Sequence, residues 1–296
     1  MSQTRIHRTR VKVGNWMEEL CLEEDAMKEY LEKKERGELC AQRVDLLKQN
    51  ILEPVTLSMS KDGGLHFGDV VMLVNVGSEN RECSTVSINA DLNSLRTNPS
   101  PGIRAPCGVA ATRSVHPCTR TAFIISSVDG SPDGSTLNFD QNFALRSSSG
   151  FAMGLYLTSD LRSFQKCAKK SRLQEVNLDD GVSFLSWWKV EHVDPQQRLE
   201  SEGLPVPANM KVVIKHRKTN QALAVLGDHI LRTMYGKEYE VKAHTFLDSH
   251  RAEQDNNHWI LCTADTGGEG RVFPYHSPSA LDNNNRPSLK SESDQN

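Results

Sequence analysis

Four histidines, His216, His244, His250 and His258, fall in the last stretch of regular pattern in this chain, and clustered imidazoles invite a metal site. Their spacings form no compact ligand pair of the HxxxH kind, and no cysteine or acidic cluster accompanies them. Hydrogen bonding in turns is the better expectation. Cys107, His116 and Cys118 offer three further ligands without a clear fourth, and Pro117 restricts how its two neighbours could converge on one ion. No GxSxG elbow, GxxxxGK phosphate loop, HExxH helix or kinase-type motif occurs. The sequence therefore predicts no catalytic residue, no metal, no cofactor and no enzymatic activity. Arg5, Arg8, Arg10 and Lys12 form a basic arm free of acidic residues. Such an arm is either a solvated terminus or an anchor on an acidic surface.

The composition narrows the partners. At 296 residues and 37% hydrophobic, the chain can bury a sizeable core but must leave some of its length in polar arms and loops. A net charge of −3 gives no whole-chain case for nucleic acid or an anionic membrane. The seven cysteines are odd in number, scattered and without a CxxC pair, as expected of reduced thiols inside a cell. No apolar run has the length of a signal peptide core or a membrane span, so neither secretion nor a membrane anchor is expected.

These groups need elements to hold them. Residues 1–13 are the basic arm, and 14–50 read as a helical segment that starts at Gly14-Asn15-Trp16 and ends before Pro54. Within it Trp16, Leu20, Met27, Tyr30 and Leu31 lie near one face, expected to pack on the chain's own core, with partner binding as the alternative. From Val55 the period changes to alternation, and short strands are expected near 55–59, 65–75, 85–88, 122–125, 155–157, 174–178 and 184–190. Four prolines mark Asp91 to Arg120 as a long irregular loop. Residues 206–263 alternate again and close on Trp259. The tail, 264–296, is Gly-, Ser- and Asn-rich and is expected to be disordered unless a partner orders it.

The strands repeat. Val71 and Leu73, Phe143 and Leu145, and Val212 and Ile214 open three units, and Phe123, Trp188 and Trp259 close them as core aromatics. The units run over about 55–128, 129–193 and 204–263. Three such units predict a mainly β body at 55–263, a β-trefoil with terminal aromatics packed towards a shared core. A β-sandwich is the competing architecture.

Two resemblances bear on this. His216-xx-Thr219-xxx-Leu223, Glu240-Val241 and Asn257-x-Trp259-x-Leu261 resemble the MIR motif of the β-trefoil domains in protein O-mannosyltransferases and inositol trisphosphate receptors. Over residues 11 to about 263 the chain is similar to the cilia- and flagella-associated protein 161 family. Val13-Gly14-Asn15-Trp16, His66-x-Gly68-Asp69-x-Val71-Met72-Leu73-Val74-Asn75, Leu204-Pro205-Val206-Pro207-Ala208-Asn209 and Ala243-His244-Thr245 carry that likeness. It implies a structural microtubule inner protein, bound to α- and β-tubulin and other inner proteins on the luminal wall of the A-tubule in motile cilia and flagella. Neither nucleic acid nor membrane is then a partner, and the basic arm becomes a reasonable anchor on acidic tubulin. The alternative is a cytoplasmic trefoil module for a sugar, an inositol phosphate or a protein ligand.

Overall fold

A computed structural model describes residues 16–77, 82–91, 102–148, 150–152 and 154–264. Two compact units divide at Gln49. The first is helical. Helix α1, Trp16–Glu35, opens with Glu18 and Glu19 at its positive end and closes with Lys33 and Lys34 at its negative end. Gly37 then takes a φ of 71°, and the amides of Gly37 and Glu38 return to the carbonyls of Lys34 and Lys33, which satisfies the last turn. Along α1, Met17, Leu20, Leu22, Met27, Tyr30 and Leu31 are exposed by 39–59%. Leu20, Met27, Tyr30 and Leu31 do share one face at the helical period, but their exposure shows that this face is not buried as expected. Helix α2, Cys40–Ile51, follows.

Residues from Asn50 onward form the β unit. Its strands are β1 (Val70–Asn75), β2 (Ser84–Asn89), β3 (Cys107–Thr112), β4 (Ala122–Ser127), β5 (Asn142–Ser147), β6 (Tyr156–Ser159), β7 (Gln174–Asp179), β8 (Trp188–His192), β9 (Lys211–His216), β10 (Leu223–Thr233), β11 (Gly236–Ala243) and β12 (His258–Cys262). β1 pairs with β4, β4 with β5, β5 with β8, β8 with β9, β9 with β12, and β12 returns to β1, every contact antiparallel. Those six strands close a barrel, which a sandwich cannot do. The remaining strands form the hairpins β2–β3, β6–β7 and β10–β11, and β3, β7 and β11 pair with one another in a triangle. A six-stranded barrel capped by three hairpins in pseudo-threefold order is a β-trefoil.

The threefold order is written in the register. Phe123 stands opposite Val71 and Ser147, Trp188 opposite Phe143 and His216, and Trp259 opposite Val212 and Asn75. All nine residues are fully buried. Three residues before Val71, Phe143 and Val212 come Gly68, Asp140 and Asn209, each at positive φ, of 90°, 62° and 60°. Only Gly, Asn and Asp tolerate that left-handed corner at low cost, which explains what those positions share. Just upstream the backbones of Leu65, Leu137 and Val206 form a closed cycle: Leu65 N donates to Val206 O, Val206 N to Leu137 O, and Leu137 N to Leu65 O, at 2.8–2.9 Å.

Two strand expectations fail. Strand β3 runs through the stretch expected as an irregular loop. Its sequence, Cys-Gly-Val-Ala-Ala-Thr, is weak in intrinsic β preference and follows Pro106, so pairing on both sides makes it a strand where local propensity does not. Residues 55–59 alternate as expected, with Leu57 buried and Met59 exposed, but join no ladder. Among the described residues no helix is long and apolar enough to cross a membrane.

The two indoles also tie hairpin to barrel, since Trp188 Nε1 donates to Leu157 O and Trp259 Nε1 to Leu223 O, both at 2.8 Å. Trp259→Ala removes a large buried ring together with its hydrogen bond to the Leu223 carbonyl, so it should cost about 3–5 kcal/mol in equilibrium urea unfolding. A loss below about 1 kcal/mol would show that the barrel does not depend on this layer.

Candidate functional site

His216, one of the four histidines singled out in the sequence, is the third member of a buried polar trio with Asn75 and Ser147. Each lies four residues after the unit's first inward residue, and each stitches loop backbone to the barrel. Asn75 Nδ2 donates to the carbonyls of Asp255, Asn256 and His258 at 2.9–3.2 Å. Ser147 Oγ donates to Ala152 O and accepts from Leu155 N. His216 Nε2 faces the carbonyl of Leu185 at 2.9 Å, which can only accept, so this nitrogen carries the proton. Nδ1 then accepts from the Thr219 hydroxyl at 2.9 Å, and Gln174 Nε2 donates to that same oxygen. Burial pushes the imidazole below its ordinary value of 6.5, which keeps it neutral and fit for these bonds. Both ring nitrogens are spent.

The rest of the short motif is structural too. Asn257 Nδ2 donates to the carbonyls of Leu223 and His244, while its Oδ1 accepts from Phe246 N. Together with Trp259 it doubly satisfies the Leu223 carbonyl. His250 is exposed on a turn held by Asp248, and His258 Nδ1 faces Asp255 at 3.2 Å. Cys107 is buried in β3, His116 is exposed, and Cys118 Sγ lies 3.4 Å from the Thr121 hydroxyl. Among the described residues no three His, Cys, Asp or Glu side chains converge as metal ligands, and the seven cysteines are free thiols. Arg5, Arg8, Arg10 and Lys12 lie outside the described residues, as does the tail from 265.

Charge is concentrated elsewhere, in groups that lie far apart in sequence. Glu253, with a side chain only 2% exposed, meets Arg198 Nη2 at 2.5 Å and Lys215 Nζ at 3.1 Å. Lys215 continues to Glu191 at 2.7 Å, Glu191 to Lys189 at 2.9 Å, and Lys189 to Asp140 at 2.5 Å. The chain of charges laces β8 and β9 to the loop before β12 and to the corner before β5. Burial would raise the Glu253 and Glu191 carboxyls, but their cationic partners outweigh it and hold both below the usual carboxylate value. A cleft of about 400 Å³ opens over this network, lined in part by Phe139, Lys189, Glu191, His192 and Arg198. Its charges are committed to one another. A second buried pair, Arg120 with Glu238 at 2.6 Å, sits under the Tyr235 ring, 3.7 Å from the guanidinium carbon. It joins the turn before β4 to the β10–β11 hairpin.

The family model described as a cilia- and flagella-associated protein 161-like domain matches residues 43–264. A protein of that name from Danio rerio is 54% identical over 271 residues, covering 89% of this chain and 90% of its own. Its namesake from Mus musculus is 44% identical over 263 residues, covering 86% of each chain. Among solved structures, the SDF2-like protein from Arabidopsis thaliana is 16% identical with a TM-score of 0.48, covering 67% of this chain and 94% of its own.

The charge lacing makes a pH-dependent prediction. A carboxylate depressed in the fold contributes stability that is present above its unfolded value, near 4.5, and is lost as pH falls through the lower folded value. Glu253→Gln leaves Arg198 and Lys215 short of a counter-charge and should cost roughly 3 kcal/mol at neutral pH. The gap to the unmodified chain should close below pH 4.5, as followed by urea unfolding against pH. A constant gap across that range would contradict the assignment.

Proposed function

The chain belongs to the cilia- and flagella-associated protein 161 family, and from that premise we propose that this cilium- and flagellum-associated protein is a structural microtubule inner protein. In this reading it binds α- and β-tubulin and neighbouring inner proteins on the luminal wall of the A-tubule of axonemal doublets, and it catalyses nothing. Beyond the family match, the observation that carries the reading is what the reactive side chains do. His216, Asn257, Glu191 and Glu253 are consumed in bonds between strands and loops. Such a body resists deformation, and a lattice component must keep its shape while its filament bends. The exposed apolar residues of α1 and the cations of the N-terminal sequence are suited to neighbours in a crowded lattice.

The reading expects the native protein to sediment with intact axonemal doublets under salt that strips the outer-arm motors, because a luminal component is shielded by the wall. Quantitative immunoblotting of pellet and supernatant measures it. Recovery of most of the protein in the soluble fraction would overturn the proposal.

A further inference from the structure

The loop between β6 and β7, residues 160–173, is strongly cationic. It carries Arg162, Lys166, Lys169, Lys170 and Arg172, all exposed, against the single carboxylate of Asp160, in a chain whose overall charge is −3. At its tip Phe164 is 91% exposed, more than any other large apolar side chain among the described residues, with Leu161 three residues before it at 59%. An aromatic ring displayed to that degree has no packing role in this chain.

The loop is nonetheless fixed. Lys166 N donates to Ser163 Oγ at 2.9 Å and Ser163 N to Lys166 O at 3.0 Å, a tight turn with Phe164 at its apex. Farther on, Ala168 N donates to Leu173 O and Arg172 N to Ala168 O, with Arg172 in the left-handed region at a φ of 61°. The amides of Lys170 and Ser171 both donate to the carboxylate of Glu240, at 2.9 and 3.1 Å. Glu240 is itself buried, and its counter-charge is Lys242, fully buried, at 2.5 Å. A buried ion pair in β11 is thus the fixture that holds a surface loop in shape. Asp160 grips the other end, taking Lys166 and Lys218 at 3.1 Å each.

We propose that the 160–173 loop is a docking surface for an acidic protein, Phe164 entering an apolar pocket whose rim carries carboxylates that meet Arg162, Lys169, Lys170 and Arg172. The proposal deepens the structural reading above and rests on it, since it identifies one surface by which the chain is gripped. A pre-formed aromatic anchor ringed by cations has the composition of an interface centre, and its rigidity lowers the ordering cost of binding. The ring sits on a convex turn, which fits a pocket better than it fits the stacked bases of a strand held in a groove. Two apolar side chains are few for stable insertion into a bilayer.

The test uses the full chain in three forms: unmodified, Phe164→Ser, and Arg162→Gln with Lys169→Gln and Lys170→Gln. Each is titrated onto fragmented axonemal doublets at several salt concentrations, and in parallel onto phosphatidylserine–phosphatidylcholine vesicles and single-stranded RNA. The altered side chains are exposed, so thermal midpoints should match, and a matched midpoint qualifies each variant. The triple variant should bind doublets about tenfold more weakly and with a flatter salt dependence. Phe164→Ser should weaken binding at every salt concentration. Equal binding by all three forms would discard the loop and leave the structural reading standing. Failure of the unmodified chain to bind doublets would discard the reading and the loop's role with it. Loop-dependent binding to vesicles or RNA in place of doublets would overturn the acidic-protein assignment.

Discussion

Three backbone hydrogen bonds, passed in a cycle from Leu65 to Val206 to Leu137 and back, are the constraint from which the β unit is built. Each joins one repeat to another, so no repeat can complete its own set. All three residues are fully buried, and an amide left unpaired there would cost about 1–3 kcal/mol. The left-handed corners at Gly68, Asp140 and Asn209 follow from this, because the chain must turn sharply from the cycle into each first strand. The aromatic layer of Phe123, Trp188 and Trp259 follows in turn, each ring facing one residue of its own repeat and one of the next. Closure is thereby shared among elements far apart in sequence, and loss of one position is felt by all three repeats.

Electrostatics reinforce that closure where apolar contact runs out. The path from Asp140 through Lys189, Glu191 and Lys215 to Glu253 and Arg198 spans the second and third repeats, and Arg120 with Glu238 spans the first and third. Buried ion pairs add little net stability over apolar replacements, but they penalise any arrangement that separates the partners. Their value here is in fixing one geometry. The same logic extends outward through Lys242 and Glu240 to the loop that displays Phe164.

Much of the body was legible in the sequence because its signals are local. Alternation marked most strands, and the steps between Leu73, Leu145 and Ile214 gave the threefold repeat together with its closing aromatics. The misses have a shared cause, which is that their signal lies in pairing between distant segments. Strand β3 is built of small residues after a proline and becomes a strand only between β2 and its neighbours in the triangle. Asn75, Ser147 and His216 differ in type, so only the register reveals them as equivalents. For His216 the hydrogen-bonding expectation holds: a neutral imidazole offers one donor and one acceptor, as this position requires. Helix α1 differs in the opposite sense: its apolar residues do share a face, as a local pattern can show, but whether that face is buried depends on segments far away, and it is exposed. Glu240 could not be foreseen as the fixture of a loop about seventy residues away, because nothing near it in sequence names that partner.

Family membership assigns the chain to cilia and flagella, and the structure describes a closed β body in which His216, Glu191 and Glu253 are bonded within its own frame. The proposed role, a component that lends shape to a filament, rests on these two together. An electron cryomicroscopy map of intact doublets from cilia that contain the protein tests this most directly. The account predicts density for the six-stranded barrel and its three hairpins against the luminal wall of the A-tubule, repeating at a regular axial interval and touching tubulin. A map without that density, while the chain is found in the ciliary matrix or membrane fraction, would contradict it.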